Sequence, residues 1–510
     1  MWNKLIKKID YLLNGITMYR LVLYYLIFLV GTGIIFSAFK VLPYNPFNLA
    51  VSVIFITAVC FLTNILFSKV FKAQTNVESV YITALILSLI ITPFSGQNLL
   101  SYISISFWAS VWAMASKYIL AIKKKHIFNP AAFGVALTGL LLGESATWWI
   151  GNPYMMPFVL LGGLIMTRKI LRSDLVWGFV SVSLITIMSF SFSGGSGIFT
   201  VIWKALAESP LLFFAFVMLT EPLTTPPSEN LRIVYGALTG FLFAPQVHLG
   251  SFYLTPELAL IISNVFSYAV SSKKKLVLTL DEKTKTGPDT YDFIFKPGEK
   301  IKFSPGQYLE WTLGHKKPDS RGNRRYFTIA SSPTEKSMRI GVKFYPRSST
   351  FKKSLLAMKE GDEIVASGLS GDFILPKSKR KKMVFLAGGI GITPMRSMTK
   401  YLLDINERRD IIIFYSNRTP EEIMYADVFE ESRKKLGIKT FYTLTGDIPE
   451  DWGGETGRID EKMIKRLVPD YLERFFYVSG TNSMVKSMKE MLKDMGVKKK
   501  QVITDFFPGF

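Results

Sequence analysis

Two short motifs carry most of the chemistry open to this sequence. Arg325-Tyr326-Phe327-Thr328 sets a cation, aromatic faces and a hydroxyl on one segment. Further along, Ala387-Gly388-Gly389-Ile390-Gly391-Ile392-Thr393-Pro394 is a glycine-rich turn between an apolar run and a helix start. A dinucleotide flavin needs its pyrophosphate neutralised, its ring stacked and its reactive nitrogen near a polar group. The Arg325 guanidinium forks onto paired phosphate oxygens. Phe327 offers an apolar face and Thr328 a hydroxyl. On a strand, Arg325 and Phe327 share a face, and Thr328 reaches the ring through main chain or a strand edge. Beyond Tyr345, Arg347-Ser348-Ser349-Thr350 opens a predicted helix over 351–358, whose amides and hydroxyls suit the rest of the pyrophosphate.

In the glycine-rich turn, Gly388, Gly389 and Gly391 let backbone approach a phosphate, and Thr393-Pro394 begins the next helix. Val478-Ser479-Gly480-Thr481-Asn482 is a second strand-to-helix turn, and ligands collect at the carboxyl ends of such strands. Arg418, after the strand ending Tyr415-Ser416-Asn417, is placed to meet a ribose 2′-phosphate, adenine or solvent, so NADH and NADPH stay equal candidates. In this order, the motifs describe hydride passing from a nicotinamide to a flavin.

These residues need two scaffolds. Short alternating segments at 276–280, 291–295, 306–313, 325–330, 338–345 and 363–367, separated by Gly and Pro turns, predict an antiparallel β-barrel. From about Lys382, strands at 383–388, 410–416, 438–444, 474–479 and 501–505 alternate with helices and predict an α/β doubly wound parallel sheet. The pair resembles the ferredoxin–NADP⁺ reductase superfamily from about residue 273 onward. Arg325 to Thr328 matches its Arg-x-Tyr-Ser/Thr flavin motif, with Phe327 at the tyrosine place. Gly388 to Pro394 matches its nucleotide motif. Ser479-Gly480 stands where many members have Cys-Gly beside the nicotinamide. The end, Asp505-Phe506-Phe507-Pro508-Gly509-Phe510, resembles an acidic-aromatic tail whose last ring covers the flavin. The resemblance implies FAD as cofactor, NAD(P)H as donor, and reaction-centre roles for Thr328, Ser479 and Phe510.

Before residue 273 the chain is apolar. A polytopic α-helical membrane domain of about ten spans is expected, at 19–39, 47–68, 79–94, 99–122, 129–143, 154–167, 174–193, 205–223, 230–244 and 255–272. Several are short or interrupted by Gly and Pro, as in bundles that line a cavity. Basic residues alternate with the crossings: Lys69, Lys72, Lys123 to Lys125, Arg168, Lys169, Arg172, Arg232 and Lys273 to Lys275 on one side, against Lys40 and Lys204 on the other. The positive-inside rule then puts both termini in the cytosol. Asn129-Pro130 and Glu221-Pro222 each set a polar side chain before proline beside an apolar run, and each precedes an Ala-Leu-Thr-Gly run, a hint of internal repetition. Glu221 at a membrane boundary either lines a cavity or solvates a helix end.

The Asn-Pro-Ala turn, the loop Gly143-Glu144-Ser145-Ala146-Thr147-Trp148-Trp149 and the Thr-Glu-Pro-Leu-Thr-Thr-Pro segment resemble a membrane protein family shared by two complexes. Its members are the D-type component of Rnf electron-transport complexes and the B-type component of the sodium-translocating NADH:quinone reductase. That family carries FMN on a threonine through a phosphoester. The matching residue is Thr147, in a motif that lacks the family's glycine; a non-covalent flavin or quinone cavity is the alternative. The domains expected are 1–272 in the membrane, 273–378 binding FAD and 379–510 binding NAD(P).

The net charge of +22 comes from membrane-flanking clusters and from a half also rich in carboxylates, without the aromatic interleaving of nucleic-acid binders. The one cysteine, Cys60, excludes disulfides within the chain and all-cysteine iron–sulfur sites. His126, His248 and His315 make no metal- or haem-ligand pair, so no metal site is expected and a transmembrane haem reductase is set aside. No signal peptide is read at the start. The leading expectation is a membrane-bound NAD(P)H dehydrogenase passing electrons to a flavin, a quinone or a partner redox protein, with ion coupling open. The other class is a transporter whose soluble half senses redox state.

Overall fold

Long apolar runs with a capping residue in front become helices throughout the first half: α1 Met18–Ala38, α2 Pro46–Val70, α3 Val77–Ile90, α4 Leu99–Ile119, α5 Pro130–Leu142, α6 Met156–Ile170, α7 Ser173–Ser191, α8 Ile198–Ala207, α9 Leu211–Met218, α10 Glu229–Phe243 and α11 Pro256–Val270. This computed structural model describes residues 13, 16–71, 77–95, 99–122, 125–170, 172–191, 197–271, 276–298, 301–315, 319 and 322–507. Thr17, Asn45, Asn129 and Thr255 accept backbone N–H bonds at the starts of α1, α2, α5 and α11, and proline fills the first turn of the last three. Two compact units emerge, Met1–Lys275 and Leu276–Phe510.

A helix stands at every expected span, but the expected number of crossings is not matched by length. Among the described residues, four helices, α1, α2, α4 and α7, are long and apolar enough to cross a membrane, and α8 with α9 makes a fifth if that bent pair is one span. Helices α3, α5 and α11 have 14, 13 and 15 residues, short of the roughly 20 that hydrocarbon requires. The segment expected at 205–223 is split by Ser209-Pro210 into helices bent by 57°. Asn129-Pro130 and Glu221-Pro222 also prove unlike: the first pair starts a helix, whereas the second lies in the turn that follows α9. The orienting residues Lys72, Lys123, Lys124 and Lys273 to Lys275 lie outside the described residues.

In the second unit, β1 Leu276–Gly287, β2 Thr290–Pro297, β3 Tyr308–Thr312, β4 Arg324–Thr328, β5 Met338–Lys343 and β6 Glu363–Ser370 form an antiparallel sheet in the order β4-β3-β6-β1-β2-β5. Alternation drives its inward face, where Phe293, Phe295, Trp311 and Ile340 close around Phe351 and Leu355 of helix α12, Thr350–Ala357. A second sheet follows, of β7 Met383–Gly388, β8 Ile411–Asn417, β9 Lys439–Leu444, β10 Glu455–Thr456, β11 Phe475–Thr481 and β12 Val502–Phe507. Its order is β10-β9-β8-β7-β11-β12, with every pairing parallel. The first five residues of β7 are all buried, as a central strand covered on both faces requires. Chain order reverses at β7, which pairs with β8 on one side and β11 on the other. That switch point opens a crevice at the carboxyl ends.

Candidate functional site

On β4, period-two alternation puts Arg325 and Phe327 on one face, and both meet the same ring. The Arg325 guanidinium lies 5.1 Å from the Phe351 centroid, and the Phe327 and Phe351 rings are 6.1 Å apart. Phe351 sits in the first turn of α12, so the cation is held beside a helix start. Arg325 is buried and donates to the Arg324 and Gly322 carbonyls at 2.6 and 3.4 Å. Tyr326 points to the other face. Its hydroxyl donates to the buried Glu310 at 2.7 Å, and its ring packs edge-on against Tyr308.

The hydroxyls at 348–350 are used within the fold. Ser348 Oγ donates to the Tyr345 carbonyl, Ser349 Oγ caps α12 through the Lys352 amide, and Thr350 Oγ1 accepts from the Asp319 amide at 2.9 Å. His315 Nε2 lies 3.0 Å from the same Thr350 oxygen. His315 therefore braces this helix start, a role its isolation in the sequence does not announce.

At the switch point, Gly388 of β7 is in register with Ser416, and Ala387 with Ser479 of β11. Gly389 adopts φ +51°, a left-handed backbone that side chains disfavour. Gly391 packs so closely on β11 that a Cβ there would stand 2.5 Å from the Ser479 carbonyl oxygen. Met484 seals the other side, its sulfur 2.8 Å from where a Gly480 Cβ would be. Thr393 and Pro394 begin helix α13, Thr393–Asp404. Arg418 follows β8 and is exposed, its amide donating to Glu422 at 3.3 Å. Ser479 pairs in register with Asp505 of β12, and Phe510 lies outside the described residues.

The two motifs are tied together by residues the sequence did not single out. Immediately after Thr328, the Ala330 carbonyl accepts from Arg396 at 3.0 Å and the Ser331 carbonyl from Ser397 at 2.6 Å, both donors lying on α13. Arg396 also donates to Glu335 and faces the Tyr425 ring at 5.6 Å. Tyr425 donates to Asp292 at 2.6 Å, and Arg339 donates to the other oxygen of that fully buried carboxylate, also at 2.6 Å. Burial, then the Asp292 carboxylate, push the Tyr425 phenol well above its usual pKa. Gly341, opposite Asp292, leaves the space: a Cβ there would meet the Tyr425 hydroxyl at 2.8 Å and Thr393 Cγ2 at 2.9 Å. The nucleotide turn is thus seated on the antiparallel sheet and the loop after β4. A charged residue three positions after Thr393, on a helix face that otherwise buries Met395 and Met398, was the available clue to Arg396.

Do these residues suit a flavin and a nicotinamide? Thr328 Oγ1 and Ser479 Oγ are buried and have no hydrogen-bond partner among the described residues. Buried polar groups are normally satisfied, and an unsatisfied one costs about 1–3 kcal/mol. Two such hydroxyls, one in the 325–328 motif and one in the strand-to-helix turn beside the glycine-rich motif, fit polar atoms of a bound ligand.

In the first unit, Thr147 is exposed and its hydroxyl meets that of Thr92, just beyond α3. The neighbouring Trp148 donates to the buried Glu257 of α11 at 2.7 Å. Glu221 pairs with His126 at 3.2 Å.

Residues 385–490 match the family described as "Oxidoreductase NAD-binding domain". The chain is 31% identical over 214 residues to the reductase component of the glycine betaine monooxygenase of Chromohalobacter salexigens, covering 41% of this chain and 57% of that protein. It is 31% identical over 202 residues to the F component of the Na⁺-translocating NADH-quinone reductase of Neisseria meningitidis, covering 36% and 49%. The C-terminal unit is a ferredoxin-reductase-like oxidoreductase module. Its NAD-binding part is the segment that the family match covers. The chain spans about half the length of the curated relatives it matches. Among solved structures, the Amycolatopsis cytochrome P450 reductase GcoB overlays at a TM-score of 0.42 with 20% identity, over 46% of this chain and 71% of that one. The FAD/NAD-binding domain of the Vibrio cholerae nitric oxide dioxygenase overlays at 0.40 with 18% identity, over 46% and 98%.

Proposed function

We propose that the chain is a membrane-bound NAD(P)H dehydrogenase in which the C-terminal module feeds electrons into the apolar N-terminal unit. The observation that carries hydride entry is the continuity of the two motifs: Thr328 runs directly into the carbonyls that hold α13, the helix begun by Thr393-Pro394.

When bound, FAD supplies the step from a two-electron donor to one-electron acceptors. The chain's own residues bind and orient. Arg325 and the start of α12 neutralise the pyrophosphate. Phe327 gives the ring an apolar face, and the Thr328 hydroxyl fixes its polar edge. Gly388, Gly389 and Gly391 let backbone amides approach the nucleotide phosphates, with Thr393 and Pro394 starting the helix behind them. Ser479 and Gly480 border the nicotinamide. Arg418 faces the adenosine end. The clamp of Asp292, Arg339 and Tyr425 holds the nucleotide turn on the barrel.

The reading for the first unit is a domain like the D-type component of Rnf complexes or the B-type component of the NADH:quinone reductase, with about ten crossings and both ends cytosolic. Thr147 would hold an FMN phosphoester, or the unit a quinone, as the electron acceptor, or a partner redox protein would take the electrons, with or without ion coupling. Supporting it are the exposed Thr147 hydroxyl and the four long apolar helices.

Anaerobic addition of NADH or NADPH to the full chain in nanodiscs tests hydride entry: the FAD absorbance is expected to bleach. Bound FAD that neither nucleotide bleaches would sink the proposal. A second reading, a transporter with a redox-sensing module, draws on the 57° break between α8 and α9. Solute flux in vesicles without electron transfer would favour it.

A further inference from the structure

The nucleotide loops occupy the carboxyl ends of the parallel strands. The opposite edge, where those strands begin, collects positive charge. Neighbouring strands lie about 4.8 Å apart, so the segments entering β7, β11 and β12 stand side by side. Hydrogen bonds confirm it: the Phe475 amide donates to the Lys382 carbonyl at 2.9 Å, and the Gln501 side-chain Nε2 donates to the Arg474 carbonyl at 3.0 Å.

The carboxylates on this edge are already engaged. Glu407 is held by Lys379 and Arg409, Asp470 by Lys382 and Arg474, Glu473 by Lys382, and Asp410 by Arg474. Asp494, at the end of the helix Asn482–Asp494, is the exception: it is exposed and is, among the described residues, the one acidic residue set against the lysines at 498–500. Left over are Lys377, Arg380, Arg408, Lys498, Lys499 and Lys500, all exposed and without a carboxylate partner among the described residues. Between them stand two exposed apolar side chains. Leu472, in the turn before β11, is 53% exposed, and Ile405, after α13, is 40% exposed.

We propose that this edge docks the module on an anionic lipid surface, the cations meeting headgroup phosphates while Leu472 and Ile405 enter the interfacial layer. The proposal rests on the reading that the chain is held in a membrane. Flexible cations spread around apolar tips are what interfacial binding uses. Each such cation strengthens binding to an anionic leaflet by about fivefold. A tether in the same chain supplies a high local concentration, so modest affinity suffices. Nucleic acid is disfavoured, because the aromatic residues on this edge are taken up by the fold: Tyr471 and Phe475 pack against the sheet cores, and Lys381 covers the Phe475 ring at 4.2 Å. Strand β7 has 6 residues. At about 3.3 Å each, they hold the nucleotide crevice roughly 20 Å from the docked edge, in water.

The test is hydrogen exchange on the full chain, in nanodiscs of neutral phosphatidylcholine and in nanodiscs with about 30% phosphatidylglycerol. Peptides covering 377–382 and 496–501 are expected to exchange at least threefold more slowly with anionic lipid. That difference should vanish at about 0.5 M salt, and in the exposed-site variant Lys377→Glu/Arg380→Glu/Lys499→Glu. The variant Leu472→Ser, which leaves every charge in place, should lose part of it. Equal exchange in both lipids would overturn the proposal. So would protection that appears in neutral nanodiscs only when an acidic redox protein is added. FAD bleaching by NADH in the same samples reports separately on hydride entry, and failure to enter nanodiscs at all would indict the membrane reading instead.

Discussion

Thr328 and Ser479 in the C-terminal unit are buried, and their hydroxyls bond to nothing among the described residues. Thr147 in the N-terminal unit is exposed, and its hydroxyl already meets that of Thr92. The contrast separates two ways of presenting a hydroxyl. A buried orphan is costly until a ligand arrives, so its retention speaks for binding. An exposed, paired hydroxyl costs little and can be modified by a reagent from outside. The first kind is read from the fold itself; the second is read only by finding what is attached.

The most disruptive way to test the first half of that contrast is Gly391→Val. Any side chain there collides with the Ser479 carbonyl, a backbone group that cannot swing aside. Stopped-flow bleaching by NADH is expected to slow by more than about a hundredfold while FAD stays bound, because overpacking at this point displaces the nucleotide turn rather than the barrel. Next comes Arg325→Ala. Loss of a charge-assisted contact of about 2–3 kcal/mol should weaken FAD retention by roughly 30- to 160-fold, measured as flavin per chain after desalting. A variant that keeps its flavin would remove Arg325 from the site.

Thr328→Ala and Ser479→Ala sharpen the comparison directly. With flavin removed, neither should lower the melting temperature, since no bond is broken. With flavin and nucleotide present, bleaching should slow by about tenfold for a lost bond of roughly 1–1.5 kcal/mol. The matching variant in the other unit is Thr147→Ala, read by in-gel fluorescence under ultraviolet light. Wild-type fluorescence that disappears in the variant places a covalent flavin there; a dark wild-type band leaves the quinone or non-covalent alternative.

Tyr425→Phe should cost about 1–2 kcal/mol of stability, because the buried Asp292 keeps only its Arg339 bond. The smallest effect expected is a pH dependence. Hydrogen bonding from Arg474, helped by Lys382, holds Asp470 down at about 2 despite partial burial. A depressed carboxylate stabilises the fold above its unfolded value of about 3.9, and that contribution fades as pH falls toward the folded value. Asp470→Asn should flatten the acid limb of the melting curve between about pH 4 and 2, by under 1 kcal/mol since the pair is largely solvated.

Much of the C-terminal unit is legible in sequence because its patterns are local. The alternation in 291–295 and the unbroken apolar run at 383–387 each dictate one strand type, and the shared face of Arg325 and Phe327 follows from period two alone. The Tyr425 bond to Asp292 is not legible, since 133 residues separate the partners. Arg396 is legible only as a charge on a burying helix face; its carbonyl acceptor, Ala330, lies in the other sheet's domain. In the N-terminal unit, hydropathy finds apolar segments but is blind to direction. Proline is welcome both in a helix's first turn and just past a helix's end. Asn129-Pro130 and Glu221-Pro222 therefore look alike as letters and do opposite things.

Met484 leans against the positions where Gly388 and Gly480 would carry side chains, and it is only partly covered. Were a flavin bound in this module to react with oxygen, Met484 would be the thioether open to the peroxide formed, while the chain's one thiol, Cys60, is sealed away. Adding a single oxygen atom to that sulfur would wedge the glycines apart. The module thus carries a built-in point of oxidative wear, visible by mass spectrometry as a 484 sulfoxide that accumulates with aerobic turnover, and reversible by methionine sulfoxide repair.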